Sequence, residues 1–260
     1  MVFAIIGSGN VATHISKALH KNGHQILQVW SRTFLNAQTL ALELGAEVMH
    51  NLTDLNESVN CVILAVNDDV LSSVLKRIAL KEQHILIHTS GTLSIDLLSA
   101  KAKNFGVLYP LQTLSKQVEI DFLNVPLCME GSSVIVKEDL LKIAKSISHC
   151  VYEIDSEQRK TLHIAAVFAC NFTNYFYAVA EGLLSEKQIS FEILKPLIQE
   201  TARKILIVQP AAAQTGPAIR KDVETMDAHL SALSHHPELQ LIYKLISKEI
   251  GKKPLPFDIP

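Results

Sequence analysis

The sequence has no run of lysine and arginine, no Cys-x-x-Cys pair, no long apolar stretch free of polar groups and no internal repeat. Each absence removes a class of protein. With 24 basic against 26 acidic residues in 260, no segment tracks a phosphate backbone, and nucleic acid is excluded as a partner. The four cysteines, Cys61, Cys128, Cys150 and Cys170, are far apart in apolar contexts, as buried reduced thiols are; a cytoplasmic protein is expected. Residues 162–184 form the most apolar long segment. They include His163, Asn171, Asn174 and Glu181, so a membrane span would bury several polar groups, and no membrane partner is expected. A strand-like VFAII from the second residue speaks against a cationic leader. His229, His235 and His236 lack a matching acidic ligand set, so no metal site is expected.

What is present is a hydrophobic content of 48%, enough for one generous core or two modest ones. The first half alternates short Val- and Ile-rich runs with helical patterns: residues 2–6, 25–30, 60–66 and 84–88, then 106–109, 126–130 and 150–154. Runs that are apolar throughout need cover on both faces, which predicts a doubly wound, mostly parallel α/β sheet. The clearest helix puts Val70, Leu71, Val74, Leu75 and Ile78 on one face, with Asn67 or Asp68 to cap it. From about residue 156 only helical patterns remain, over 157–186, 190–208, 222–234 and 237–250. In the first of these, apolar residues lie on nearly every side, as in a helix enclosed by neighbours. The expected domains are therefore residues 1–154, an α/β domain, and residues 155–260, all helical and closed by the Pro-rich GKKPLPFDIP.

The stretch AIIGSGNVATHISKAL carries the first chemistry. In a strand, G-x-G-x-x-A, helix arrangement, Gly7 permits the tight turn, Gly9 lets a pyrophosphate approach the backbone, and Ala12 lets helix and strand pack closely. Val11, Ile15, Ala18 and Leu19 seat the helix on the sheet. The turn Gly7, Ser8, Gly9, Asn10 and Val11 then offers helix N-terminal amides to phosphates. At the end of the second run, where an NAD site usually has a carboxylate, the chain reads Ser31, Arg32 and Thr33. Two hydroxyls and a guanidinium suit a 2'-phosphate, so NADP is the expected cofactor; an exposed loop arginine without a ligand is the other reading.

Other candidates follow from position. Val66, Asn67 and Asp68 stand where the 60–66 run ends, at the sheet's carboxyl edge, and Asn67 either bonds a ribose or only begins a helix. His88, Thr89, Ser90 and Gly91 offer short polar groups near the expected nicotinamide, although His88 reads equally as a buried histidine. On the long helix His163, Val167, Asn171 and Asn174 form one stripe; His163 could act as an acid and Asn171 could orient a substrate, or both could serve structural hydrogen bonds. In QTGPAIRKDVETMDAHL, Gly216 and Pro217 break the helix, Asp222 is a plausible N-cap, and Thr225 and His229 share a face. Arg220 beside that turn is either an anion clamp or a corner residue that is solvated or paired with Asp222. His229 is a second candidate proton donor.

Together GSGNVA, SRT, AVNDD, HTSG, HIAAVFACNF and TGPAIRKDVETMDAHLSAL resemble the NADP oxidoreductases that join a Rossmann-like domain to an uncharacterised all-helical domain. More distantly the layout is similar to pyrroline-5-carboxylate reductase and to the 6-phosphogluconate and 3-hydroxyacid dehydrogenases. The resemblance implies a nicotinamide between the domains and dimerisation through the helical one. Two positions depart from it. The close family usually has His before the Pro that follows the sixth strand, where this chain has Tyr109 before Pro110; and Val167 stands four residues before Asn171, where the hydroxyacid dehydrogenases carry a lysine. The resulting expectation is an NADPH-dependent reductase of a small carbonyl or imine, with or without a carboxylate. A sensor that holds NADP without turnover is the alternative.

Overall fold

The computed structural model describes residues 1–252; the rest of the Pro-rich run, from residue 253, lies outside the described residues. The strands are β1 (Val2–Ile6), β2 (Gln25–Trp30), β3 (Glu47–Val48), β4 (Cys61–Leu64), β5 (Ile85–His88), β6 (Asn104–Pro110), β7 (Leu127–Gly131) and β8 (Val151–Glu153). They form one sheet in the order β3-β2-β1-β4-β5-β6-β7-β8, parallel throughout except between β6 and β7. The mostly parallel, doubly wound sheet is therefore as expected. The two-residue β3 at its edge is too short to leave a periodic signal and was not foreseen.

Alternation along β1 shows how the core is divided. Phe3 and Ile5 join one buried cluster with Ile15, Leu19, Ile26 and Ile63, while Ala4 and Ile6 join the other with Val62, Leu64, Leu71 and Val74. Successive strand side chains point to opposite faces, so a strand buried on both must be apolar at every position. Helices α1 (Asn10–Lys21), α2 (Phe34–Leu44) and α4 (Val134–Ile147) supply the first cluster, and α3 (Asp68–Arg77) supplies the second. The helical pattern expected after 84–88 is only a 3-10 turn, Ile95–Leu98.

The long helix of the second half is not one regular element. It consists of α5 (Ser156–Ala166), a π-helical segment Val167–Phe172 and α6 (Thr173–Ser185). The wider π turn leaves the Phe168 carbonyl to a side chain, and Thr173 Oγ1 donates to it at 3.3 Å. Nor is this helix enclosed within the chain: Phe168, Phe172 and Tyr175 are 65%, 46% and 51% exposed. Cys170 is exposed on this helix and Cys150, before β8, is only half-buried, so burial of all four thiols is corrected to Cys61 and Cys128.

After α6 come α7 (Lys195–Ile205), α8 (Pro210–Ala213), α9 (Pro217–Arg220), α10 (Val223–Ala232) and α11 (Pro237–Gly251). The helical half is thus more interrupted than its periodicity suggests, because Pro210, Pro217 and Pro237 each restart a helix at its first turn. Two compact units result: one of Met1–Tyr177, the other beginning at Ala178. Among the described residues no helix is long and apolar enough to cross a membrane.

One buried ion pair fixes α5 to the sheet. Arg159, 1% exposed, donates to Glu130 of β7 at 2.6 Å, to the Leu93 carbonyl at 2.6 Å and to Ser156 Oγ at 3.1 Å. Ser156 in turn donates to Glu130 at 2.8 Å and accepts from the Ile95 amide at 3.0 Å. Asp155 and Gln158 complete a capping box at the start of the helix. Nearby on β5, His88 is fully buried, but its Nε2 has no hydrogen-bond partner among the described residues. Its Nδ1 accepts from the Ser90 amide at 3.2 Å. Burial first, then the Arg159 charge, push its pKa down to about 4.

Two outcomes follow. Arg159→Ala strands the Glu130 carboxylate in the interior and should cost about 3–5 kcal/mol in denaturant unfolding. Lys103→Ala, which breaks the exposed pair with Glu82, should cost no more than about 1 kcal/mol, and equal costs would contradict the anchoring role. His88 binds its proton less readily folded than unfolded, so its contribution is present above pH 6.5 and is lost as the pH falls towards 4. That loss amounts to about 3 kcal/mol, and His88→Gln should flatten the acid limb of a stability-against-pH curve.

Candidate active site

The site begins where the chain turns back. β1 runs outwards through β2 to β3, and the chain then returns to β4 on β1's other side, so the connections leaving β1 and β4 part at their carboxyl ends. Such a switch point opens a crevice. Gly7 sits there with φ +127°, its amide donating to the Trp30 carbonyl at 2.7 Å. A Cβ at Gly7 would lie 2.1 Å from the Ala65 oxygen, so only glycine fits between the two strands. Gly9 differs: a Cβ there would meet nothing within 4 Å. It is the N-cap of α1, makes no side-chain cap and precedes a first turn without acid. The first backbone bond of the helix runs from Thr13 to Gly9, so the amides of Asn10, Val11 and Ala12 precede the ladder beside open space. Ala12, 1% exposed, gives the close helix contact expected of the third small residue.

Around this turn the polar side chains are tied to one another. Ser8 Oγ donates to Ser31 Oγ at 2.8 Å, joining the glycine turn to the end of β2. Asn10 Nδ2 donates to the Leu114 carbonyl at 2.8 Å, and the His14 ring meets the Ser115 carbonyl at 3.0 Å. The side chain of Asn10 thus holds a loop, and its backbone amide is what remains for a phosphate. Arg32 is exposed, and Thr33 is the N-cap of α2 without a side-chain bond. With no acid in the first turn of α2, this corner accepts negative charge.

At the end of β4, Asn67 occupies the N-cap position of α3, but neither it nor Asp68 makes the expected side-chain cap. Asp68, one residue inside the helix, instead accepts from Ser90 Oγ at 2.9 Å and Thr92 Oγ1 at 2.5 Å. Two hydroxyls on the loop after β5 satisfy the carboxylate, and the Asn67 carboxamide makes no hydrogen bond among the described residues.

A cleft of about 1170 Å³ brings these edges to the long helix. Gly9, Asn10 and Val11 line it from the glycine turn, Val66, Asn67 and Ser90 from the strand ends, and His163 and Asn171 from the helix. Val167 and Asn174 line it too, so the expected stripe keeps a common side across the π segment. Gly7, Ser8, Ser31, Arg32 and Thr33 are not part of the lining. Arg220 and His229 belong to the second unit. There Arg220 is 64% exposed and 3.9 Å from Asp222, the N-cap of α10, while His229 Nδ1 is 2.9 Å from the Tyr243 hydroxyl.

Sequence reasoning missed the contact at the centre of the cleft. Tyr109, at the end of β6, places its hydroxyl 3.0 Å from His163 Nδ1. Gly91 makes room for both: a Cβ there would lie 2.6 Å from His163 Nδ1 and 3.0 Å from Tyr109 Cζ. Burial pushes the Tyr109 pKa up to about 12, so the group is a neutral phenol at ordinary pH. The only signals in the sequence were the Tyr-Pro pair, read as a departure, and a glycine in a loop. The cleft lining contains one carboxylate, Asp68, and neither lysine nor arginine.

Comparison with known proteins agrees with this geometry. Residues 2–91 match the family of coenzyme F420-dependent NADP oxidoreductases, and residues 125–250 match a domain of unknown function, DUF2520. No curated protein matches the chain. A candidate NADP oxidoreductase from Bacteroides fragilis is 40% identical, with 96% of this chain and 97% of that one covered and a TM-score of 0.89. The fold is shared by 1-pyrroline-5-carboxylate reductase from Streptococcus pyogenes (16% identity, 96% and 98% covered, TM-score 0.65). It is shared also by an imine reductase from Myxococcus stipitatus in complex with NADP+ (16% identity, 96% and 93% covered, TM-score 0.67). The chain belongs to the NADP oxidoreductase family in which an F420-dependent-type nucleotide-binding domain is joined to a DUF2520 domain.

Proposed function

We propose that the protein reduces a small carbonyl or imine with NADPH. The observation that carries this reading is the single cleft that joins the open backbone beside Gly9 to the side chains of His163 and Asn171. The residues fit the cofactor: the amides after Gly9 would hold the diphosphate, Asn67 and Ser90 the nicotinamide side, and Ser31, Arg32 and Thr33 the 2'-phosphate. When bound, NADPH supplies the hydride. The chain's own residues do the rest. Asn171 orients the substrate, His163 provides the proton, and the buried strands beneath the cleft keep both in place. Likeness of fold to imine and pyrroline-5-carboxylate reductases supports a C=N bond as the acceptor.

In this reading residues 1–154 are the dinucleotide-binding domain of a cytoplasmic enzyme, and residues 155–260 are the substrate and dimerisation domain. Arg220 binds a substrate carboxylate, and His229 is the alternative proton donor. A homodimer is supported by the large apolar side chains that the helical half leaves exposed, among them Leu197, Leu206 and Ile207 at 62%, 83% and 70%. A second reading, a sensor that binds NADP without turnover, is favoured by Val167 in place of a catalytic lysine.

Arg32→Ala tests the cofactor assignment. Loss of a charge-assisted contact of about 1.5–3 kcal/mol should weaken NADPH by about ten- to a hundredfold and leave NADH nearly unchanged. Equal losses for both coenzymes in a binding titration would contradict it. The reaction is tested by following NADPH oxidation with panels of 2-oxo acids, cyclic imines and aldehydes. Turnover is expected in at least one panel; tight NADPH binding with none would favour the sensor.

A further inference from the structure

The Tyr109–His163 contact answers a question that the reductase reading leaves open, namely how a histidine on a mobile-bonded side chain is made to present one chosen nitrogen. An imidazole has two ring nitrogens, and the bond made by one fixes what the other offers. His163 Nδ1 lies 3.0 Å from the Tyr109 hydroxyl, and Gly91 leaves no space for the ring to shift towards the sheet. Among the described residues Nε2 has no hydrogen-bond partner, and the ring lines the cleft. The Tyr109 ring crosses that of His163 edge-on, with centroids 6.0 Å apart and planes at 70°. From below, Arg159 holds the first turn of α5 to β7, one turn before His163. The ring is therefore fixed at its backbone, on one face and at one nitrogen.

We propose that Tyr109 is a positioning residue for the reaction: it engages His163 Nδ1 and so directs Nε2–H at the reacting heteroatom. The inference rests on the reductase reading and adds to it a residue, Tyr109, and an atom, Nε2. A phenol both donates and accepts, so the contact survives each state of the ring. In the neutral ring Tyr109 donates to Nδ1, which selects the tautomer with its proton on Nε2. In the imidazolium, Nδ1–H donates to the phenol oxygen. In the reduction, hydride adds to the carbon of the C=O or C=N bond, and the electron pair of that bond moves to the heteroatom. The heteroatom takes the Nε2 proton of the imidazolium. The ring left behind is neutral, with Nδ1–H still bonded to Tyr109, and it regains a proton from solvent. The donor of two electrons is the reduced nicotinamide, so one hydride and one proton are added and nothing remains unbalanced. The other titratable and charged groups around the pair are Cys128 opposite Tyr109 on β7, His88 on β5, Arg159 with Glu130 below, and Asp68 and Cys170 on the cleft wall. Arg159 and Asp68 are already bonded, and the fully buried His88 stays neutral above about pH 4.

The test uses the full chain with histidine labelled with 15N, and identifies the His163 signals by their loss in His163→Gln. In the neutral-ring form of the wild type, His163 should show one tautomer, protonated on Nε2. In Tyr109→Phe it should become a mixture, and in Gly91→Ala, which displaces the ring while leaving both groups in place, it should do the same. With a substrate found in the panels, Tyr109→Phe should lower kcat by about ten- to a hundredfold, with KM and NADPH affinity within about twofold. An unchanged His163 tautomer in Tyr109→Phe, or an unchanged kcat, would overturn the positioning role while the reductase reading stands. NADPH binding without turnover in any panel would overturn that reading and this inference with it; the tautomer measurement does not depend on turnover and reports the contact in either case.

Discussion

The ion pair between Arg159 and Glu130 is the interaction on which the site depends. A guanidinium removed from water needs partners, and here a carboxylate, a carbonyl and a hydroxyl engage its two terminal nitrogens, while Nε has no partner among the described residues. The bond joins the first helix after the sheet to β7, and it reaches the loop after β5 through Leu93. Three parts of the chain far apart in sequence are thereby held in one arrangement. Without it, α5 would rest on few buried apolar contacts, since Arg159 is the one residue of that helix that is buried. The cost of burying the charge is offset by a defined place for the helix that brings His163 to Tyr109.

A second constraint acts at the opposite edge of the cleft. Gly7 and Gly9 stand two residues apart and are glycine for different reasons. The first is wedged against the carbonyl of Ala65 and has a backbone conformation that side chains avoid; the second faces open space. Packing explains Gly7 and leaves Gly9 unexplained; the proposed diphosphate against the helix amides would give Gly9 its reason.

Much of the fold was legible because burial on both faces of a sheet forces apolar residues at successive positions, as in β1 and β4, which are apolar throughout. β3 escaped because two residues have no period. The π segment escaped for another reason: helix periodicity averages over several turns, and one wide turn within a run of apolar residues barely changes the pattern. In the site, the glycine turn and the polar stripe could be read because each sits within one local motif. Tyr109, Gly91 and Arg159 could not, since their roles come from contacts between segments about 20 to 70 residues apart, for which a single sequence holds no spacing rule. Asp68 shows the same limit: its position suggested a helix cap, and only the loop after β5 supplies the hydroxyls that claim it.

In the proposed function one cleft serves both coenzyme and chemistry. A crystal structure of the full chain with NADP bound measures this directly. The nicotinamide ring is expected beside His163 and Asn171, with the diphosphate over Gly9. A nicotinamide remote from both side chains would contradict the account.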